Sequence, residues 1–286
     1  MKGKEIIQQA IRHHSSPRPP LGELVIEDDF VRDYTGEKKI NEALRAEVIC
    51  RLGLDAVCLD NERDITFMSR ETDLFLFALV GGGFSGLMKK YPFQEAMALI
   101  IQKPDRVSKI ISREIKNNEE KARSLLQAGA HGVMIADDIA YDRGPYASPR
   151  FFRERVFPSL ADTISRLKAN GTPVFFHSDG NLTLFLEDLV KMGFHGLQCL
   201  EQKAGMDLVR IKKTHGAKLC LMGGIDIDIL TGKQNKAHIR QEAARVARIA
   251  APGGGFIFGT NSGLFAGVDI ESLKILYEEA SGISAC

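Results

Sequence analysis

Residues 173–181 read Pro-Val-Phe-Phe-His-Ser-Asp-Gly-Asn, or PVFFHSDGN. A four-residue apolar run gives way at once to an imidazole, a hydroxyl, a carboxylate and a glycine. Side chains alternate along an extended chain, so His177 and Asp179 fall on one side of it. A strand that ends this way either caps itself against water or reaches into a site. The same kind of run recurs on both sides: LGELVI (21–26), DAVCLD (55–60), LFLFALV (74–80), GVMIAD (132–137), GLQCL (196–200), LCLMGG (219–224) and GFIFGT (255–260). With PVFFHS (173–178) that makes eight candidate strands. Most are apolar throughout, as parallel strands covered on both faces must be.

Helical signals fill the gaps. Ser148-Pro149 supplies an N-cap and a first-turn proline for RFFRERVFPSLADTISRLKANG, which Pro158 kinks or divides and Gly171 follows. Leu182 to Met192 has helical spacing and stops at Gly193, and His238 to Ala251 is amphipathic and stops at Pro252-Gly253. Asp269 is placed to cap IESLKILYEEA. Strand and helix in alternation predict a parallel sheet with covering helices. Eight strands in 286 residues predict a closed α/β barrel, (β/α)8, as a single domain over 1–286 with residues 1–20 as a helical extension.

Composition excludes several classes. Lys and Arg number 38 against 37 Asp and Glu, a net charge of +1, so neither nucleic acid nor an anionic membrane is the expected partner. The N-terminal MKGKEIIQQAIRHH has no apolar signal core, and the longest apolar run, 74–88, is broken by four glycines and a serine. Five cysteines at irregular spacing, with no CxxC pair, predict reduced thiols in a cytoplasmic protein. Gly81-Gly82-Gly83-Phe84-Ser85-Gly86 matches GxGxxG in form, but no ribose-binding acid in a βαβ unit follows, so backbone freedom at a strand end is the better reading.

In an α/β barrel the reacting groups sit at the carboxyl ends of the strands. Those ends carry Asp60; Asp137, Asp138, Tyr141 and Arg143; His177 and Asp179; Cys199 and Glu201; Asp226 after Gly223-Gly224; and Thr260, Asn261 and Ser262. One such acid is ordinarily a helix cap or a solvated loop residue, and Asp179 before LTLFLEDLV suits a cap. Acids at five of eight ends, with a histidine, predict a functional cleft.

The segments ADDIAYDRGPYASPRFFRERVFPSL, FFHSDGN, GFHGLQCLE, LMGGID and GGGFIFGTNSG resemble the uroporphyrinogen decarboxylase superfamily. That superfamily includes zinc-dependent methyltransferases that act with corrinoid proteins or coenzyme M. The resemblance runs from about residue 40 onward and implies a (β/α)8 barrel with its cleft at the carboxyl ends. Uroporphyrinogen decarboxylases carry an RQAGR stretch near the N-terminus that grips the substrate's carboxylates. Here HHSSPRPPLGELVIED stands in its place, with only Arg12 and Arg18 nearby. The zinc methyltransferases carry HxC at the strand-five motif and a cysteine near strand eight. This chain has His177-Ser178-Asp179 and GTNSG instead. The resemblance therefore implies a harder ligand set, His177 and Asp179 with Glu201 or Cys199, suited to zinc-bound water or an ether oxygen.

The leading expectation is the substrate-side methyltransferase of a corrinoid-dependent, O-demethylase-like system, with cobalamin carried on a partner protein. His177 and Asp179 would hold zinc or protonate the leaving oxygen, Asp137 or Asp138 would position substrate, and Tyr141 would donate a proton. Asp60, Asp138, Arg143, Asp226 and Asn261 would line the substrate site. The chief alternative is decarboxylation of a carboxylated substrate by His177 and Asp60. A third is a non-catalytic barrel that binds a small ligand or tetrapyrrole. A homodimer follows from family analogy alone.

Overall fold

The computed structural model describes residues 3–232 and 235–283. Cys286 lies outside the described residues, and the other four cysteines are free thiols. Eight strands form one parallel sheet in sequence order: β1 (Gly22–Glu23), β2 (Ala56–Leu59), β3 (Phe75–Gly81), β4 (Gly132–Ala136), β5 (Val174–His177), β6 (Gly196–Gln198), β7 (Cys220–Ile225) and β8 (Phe256–Thr260). Six fall inside the apolar runs, and β3 and β7 each extend one residue past theirs, to Gly81 and Ile225. The sheet returns on itself through a parallel bridge between Leu21 and Phe258, and the Phe258 N–H donates to Pro20 O at 2.8 Å. The chain is a single (β/α)8 barrel of the α/β class.

Alternation sorts the strand residues into two cores. Ala56, Cys58, Phe75, Phe77, Met134, Phe175, Cys220, Met222 and Ile257 fill the barrel interior, with the Phe77 ring 5.0 Å from Phe175. The other face of each strand packs under the helices. The helix Gly3–Ile11 turns Ile6, Ile7 and Ala10 onto the interior cluster. It is tied to the amino end of the strands by the Lys4 N–H on Asp73 O, 2.8 Å. The barrel is therefore plugged at one end and open at the carboxyl end. No helix among the described residues is long and apolar enough to cross a membrane.

The first strand is the shortest because the chain enters it through Pro17, Pro19 and Pro20, which lack the N–H that a ladder needs. Side chains hold the entry instead. Arg18 grips Asp55 with two bonds of 2.7 and 2.9 Å, and Asp55 also accepts the Leu21 N–H at 2.8 Å. Arg18 is thereby committed at the amino end of β2, away from the mouth.

Glu23 completes the seam between β1 and β8. It is fully buried and accepts from the Thr260 N–H at 2.8 Å, the Thr260 hydroxyl at 2.5 Å and the Tyr277 hydroxyl at 2.7 Å. Burial pushes its carboxyl up from 4.5 to about 7, against the pull of those bonds. A raised acid contributes stability that is fully present below its unfolded value and is lost as pH rises through its folded value. Stability should therefore fall between about pH 5 and 8, by an order of 3 kcal/mol from this group. Gln imitates the protonated acid. Denaturant unfolding of Glu23→Gln and the parent at pH 5, 6.5 and 8 should show the variant gaining on the parent as pH rises. A constant difference would mean that Glu23 does not titrate in this window.

The helical punctuation follows the sequence closely. Ser148 accepts the Phe151 N–H at 3.2 Å, and the helical stretch divides at Val156 into Pro149–Arg155 and Phe157–Lys168. Asp269 accepts the Ser272 N–H at 2.8 Å to cap Ile270–Ser281. Two excursions interrupt the simple alternation of strand and helix. After β3 come three successive helices, Phe84–Lys90, Phe93–Gln102 and Pro104–Gln127, and after β4 a two-stranded hairpin pairs Ala140–Tyr141 with Gly144–Pro145.

Candidate functional site

His177 is the last residue of β5 and lies inside the barrel by the alternation that puts Phe175 there. The β5–β6 register sets it opposite Gln198. Gln198 is fully buried, and its Nε2 donates to Thr260 O and Asn261 O at 3.3 and 3.0 Å. Carbonyls only accept, so the amide orientation is fixed and Gln198 Oε1 faces the ring. His177 Nδ1 bonds to that oxygen and must carry the proton. His177 Nε2 is left to face the mouth.

Two carboxylates meet it there. Asp138 Oδ1 lies 3.7 Å from His177 Nε2 and Asp179 Oδ1 lies 3.9 Å from it. One ligand atom from each of the three falls within 4.8 Å of the others. The histidine is 6% exposed and both acids are open to solvent. Two carboxylates facing a ring nitrogen make a place for one positive charge such as a metal ion. The orienting bond to Nδ1 is the arrangement found behind histidine ligands. The donors therefore fit zinc, with a nitrogen and carboxylate oxygens in reach. Asp179 is fixed through its backbone N–H, 3.1 Å from Asp138 Oδ1, and does not cap the helix that follows.

Asp179 also belongs to a second group, with Cys199 and Glu201, whose ligand atoms lie within 4.8 Å of one another. The Cys199 thiol, 3.4 Å from Asp179 Oδ1, is held well above its usual range by burial and then by the Asp179 charge. Glu201 accepts the Gly180 N–H at 3.1 Å. The expected trio of His177, Asp179 and Glu201 is thus divided between two clusters that share Asp179, and Asp138 takes the third place beside the histidine.

Other expected residues have different work. Asp137 is 1% exposed and turned away from the mouth. It accepts the N–H groups of Gly83, Phe84 and Ser85 at 3.0, 3.0 and 2.5 Å. The glycine-rich turn is an anion cradle after all, and the chain's own carboxylate fills it. Gly82 has to be glycine for this, since a Cβ there would lie 2.2 Å from Asp137. The role expected of Asp137 among the catalytic residues, positioning substrate, is therefore corrected to an anchoring one.

Asn261 is 2% exposed and equally occupied: its Oδ1 accepts the N–H groups of Leu200 and Gly224 at 3.0 and 2.9 Å, and its Nδ2 donates to Asp226 at 2.7 Å. It fastens the ends of β6 and β7 to β8 and does not offer itself to a ligand. Gly223 and Gly224 serve that clasp, with φ of 108° and 103° and Asn261 Oδ1 only 2.7 Å from where a Gly223 Cβ would sit. They do not open a path for substrate.

Arg143 stands 83% exposed at the hairpin turn beside Asp142, outside the mouth. Asp60 lines a different hollow, with Arg45, Asn61 and Asp64. Arg45 is paired there to Asp28 at 2.7 Å and Asp64 at 3.2 Å.

Tyr141 is 41% exposed and its ring stacks on Tyr146, centroids 5.4 Å apart. Tyr146 was not among the expected residues. Its ring also meets Phe84 at 6.2 Å and Phe93 at 5.6 Å, and it lines a hollow with Asp138, Ser85, Met88, Lys89 and Phe93. Burial, then the charges of Asp138 and Asp179, hold its phenol above the usual value, so it is a neutral donor. Gln198 was missed as well, although an amide inside the apolar run GLQCL had to be hydrogen-bonded if that strand was buried.

A parallel eight-stranded barrel with titratable groups gathered at its carboxyl mouth defines an α/β-barrel enzyme scaffold. Residues 47–282 match the family described as uroporphyrinogen decarboxylase (URO-D), and the chain belongs to that family. It is 28% identical over 258 residues to the uroporphyrinogen decarboxylase of Chlorobium luteolum, covering 84% of this chain and 67% of that one. The uroporphyrinogen decarboxylase of Chlorobium phaeobacteroides is 26% identical over 245 residues, covering 84% and 65%. The chain thus spans about two thirds of the length of these curated relatives. A methyltransferase from Methanosarcina mazei superposes with a TM-score of 0.82 over 99% of both chains at 17% identity, a likeness of fold.

Proposed function

We propose that this barrel is the substrate-side methyltransferase of a corrinoid-dependent system, acting on a neutral methyl ether. The observation that carries the reading is the Asp138–His177–Asp179 cluster beside an aromatic wall. The carboxylates Asp138, Asp179 and Glu201 make this side of the mouth acidic. Few cations answer them: Arg18 is bound to Asp55, Arg45 to Asp28 and Asp64, Arg143 is exposed at a turn, and Lys89 is the single cation lining the Asp138 hollow. A substrate with many carboxylates would be repelled, because each needs a cation or a donor in the cleft. A neutral aryl ether meets flat rings instead.

His177, Asp138 and Asp179 would hold zinc, which when bound supplies Lewis acidity at the ether oxygen. Gln198 keeps the His177 ring in its tautomer. Tyr146 and Tyr141 hold the aryl group, and Tyr146 also keeps its proton available. The C–O bond breaks with its electron pair on oxygen, the methyl group passes to cob(I)alamin on a partner protein, and the oxygen takes one proton from Tyr146 or water.

Incubation with 1,2-dimethoxybenzene and free cob(I)alamin should consume the cob(I)alamin absorbance and release 2-methoxyphenol. Asp138→Asn and Asp179→Asn should each slow this by about 10². A parent protein that leaves a panel of methoxybenzenes untouched, yet releases CO2 from uroporphyrinogen, would replace this reading with decarboxylation.

A further inference from the structure

The geometry points to a second, apolar subsite that continues the site outward past Tyr146 and receives the uncharged tail of the substrate. The hollow that contains Asp138 is bounded by Met88, Phe93 and Tyr146. On the other side of Tyr146 lies a larger cavity of about 590 Å³, lined by Met97, Ile100, Ile101, Ala147 and Phe151. That volume lies within the range of small-molecule sites. Tyr146 is the one wall the two share.

Exposed apolar side chains mark the same path. Phe93 is 53% exposed in the inner hollow and Ile101 is 81% exposed at the outer one. Single exposed apolar residues are ordinary, but these two line the neighbouring hollows that share Tyr146. The charges at the outer rim are already matched: Arg150 pairs with Glu154 at 2.8 Å and Arg155 with Asp105 at 2.5 Å. The cavity thus selects an alkyl or aryl extension without charge. Because Tyr146 walls both this cavity and the Asp138 hollow, the occupant is the far end of the molecule whose methyl ether sits by His177. Only the identity of that head group rests on the function proposed above.

The test is a series of 1-methoxy-4-alkoxybenzenes carrying one to six alkyl carbons, with Kd measured by calorimetry. Each added CH2 should tighten binding about threefold until the cavity is full. Ala147→Trp puts an indole into the cavity and should flatten the series while leaving the shortest member unchanged. Ile101→Lys, at a position too exposed to endanger folding, should weaken only the longest members. Equal Kd along the series in the parent, or an undiminished slope in both variants, would overturn the subsite. A steep series without methyl transfer would remove the chemistry and keep the subsite, and a flat series with methyl transfer would do the reverse.

Discussion

Replacing His177 with alanine should lower turnover by about 10³-fold and shift the thermal midpoint by only a few degrees. The imidazole is the one nitrogen donor in the cluster with Asp138 and Asp179. Alanine removes it, and no other described side chain takes its place in that cluster. The stability cost is limited to the lost bond with Gln198 and a small void near the open end.

Gln198 provides the control. Gln198→Leu keeps the volume but leaves Nδ1–H without an acceptor, so the proton is free to move to Nε2 and the lone pair turns away from the carboxylates. A loss of about 10- to 100-fold is expected, the usual effect of removing the partner that orients a histidine. Gln198→Glu should recover part of it and move the pH profile upward, because a carboxylate behind the ring favours its protonated form. A merely structural Gln198 would lower the midpoint in both variants without moving the profile.

The largest effect on stability should come from the residue next door to the site. Asp137→Ala strips the acceptor from three backbone N–H groups in the turn after β3 and leaves them facing a void. Hydrogen bonds to a charged acceptor contribute roughly 1.5–3 kcal/mol each, with partial relief from water entering the turn. A net loss of about 4 kcal/mol is expected, or of order 10 °C in midpoint for a domain of this size. Asp138→Asn should change stability by less than about 1 kcal/mol, because its side chain is 54% exposed. Adjacent aspartates would thus separate cleanly, one required for folding and one for function. Equal destabilisation of the two variants, measured by denaturant unfolding, would contradict this division.

The architecture was legible because it rests on burial. A strand covered on both faces must be apolar throughout, so eight runs announced eight strands, and caps such as Ser148 and Asp269 announced the helices between them. Alternation set His177 and Asp179 on one side of the chain, and the structure puts His177 in the interior, two residues from Phe175. It failed one step later. Past the last strand residue the chain turns, and periodicity no longer says where a side chain points. Asp137 and Asp138 looked equivalent, and the chain used one to hold a loop and aimed the other at His177. Asn261 misled for a related reason: a polar residue at a strand end reads as ligand-binding until its partners across the barrel, Leu200 and Gly224, are known. Tyr146 was hidden because its role depends on Phe84 and Phe93, more than fifty residues earlier. Such contacts belong to tertiary structure and leave no local pattern. The glycine-rich turn shows the converse, a motif read correctly as backbone geometry whose ligand turned out to be internal.

Zinc affinity, measured by chelator competition near pH 7 on the parent and on His177→Ala, Asp138→Asn and Asp179→Asn, tests the account most directly. Binding of about one zinc per chain, weakened tenfold or more by each substitution, is the result predicted for ligands of one shared site. No binding by the parent, or an affinity indifferent to all three substitutions, would contradict the claim that this cluster holds the charge on which the chemistry depends.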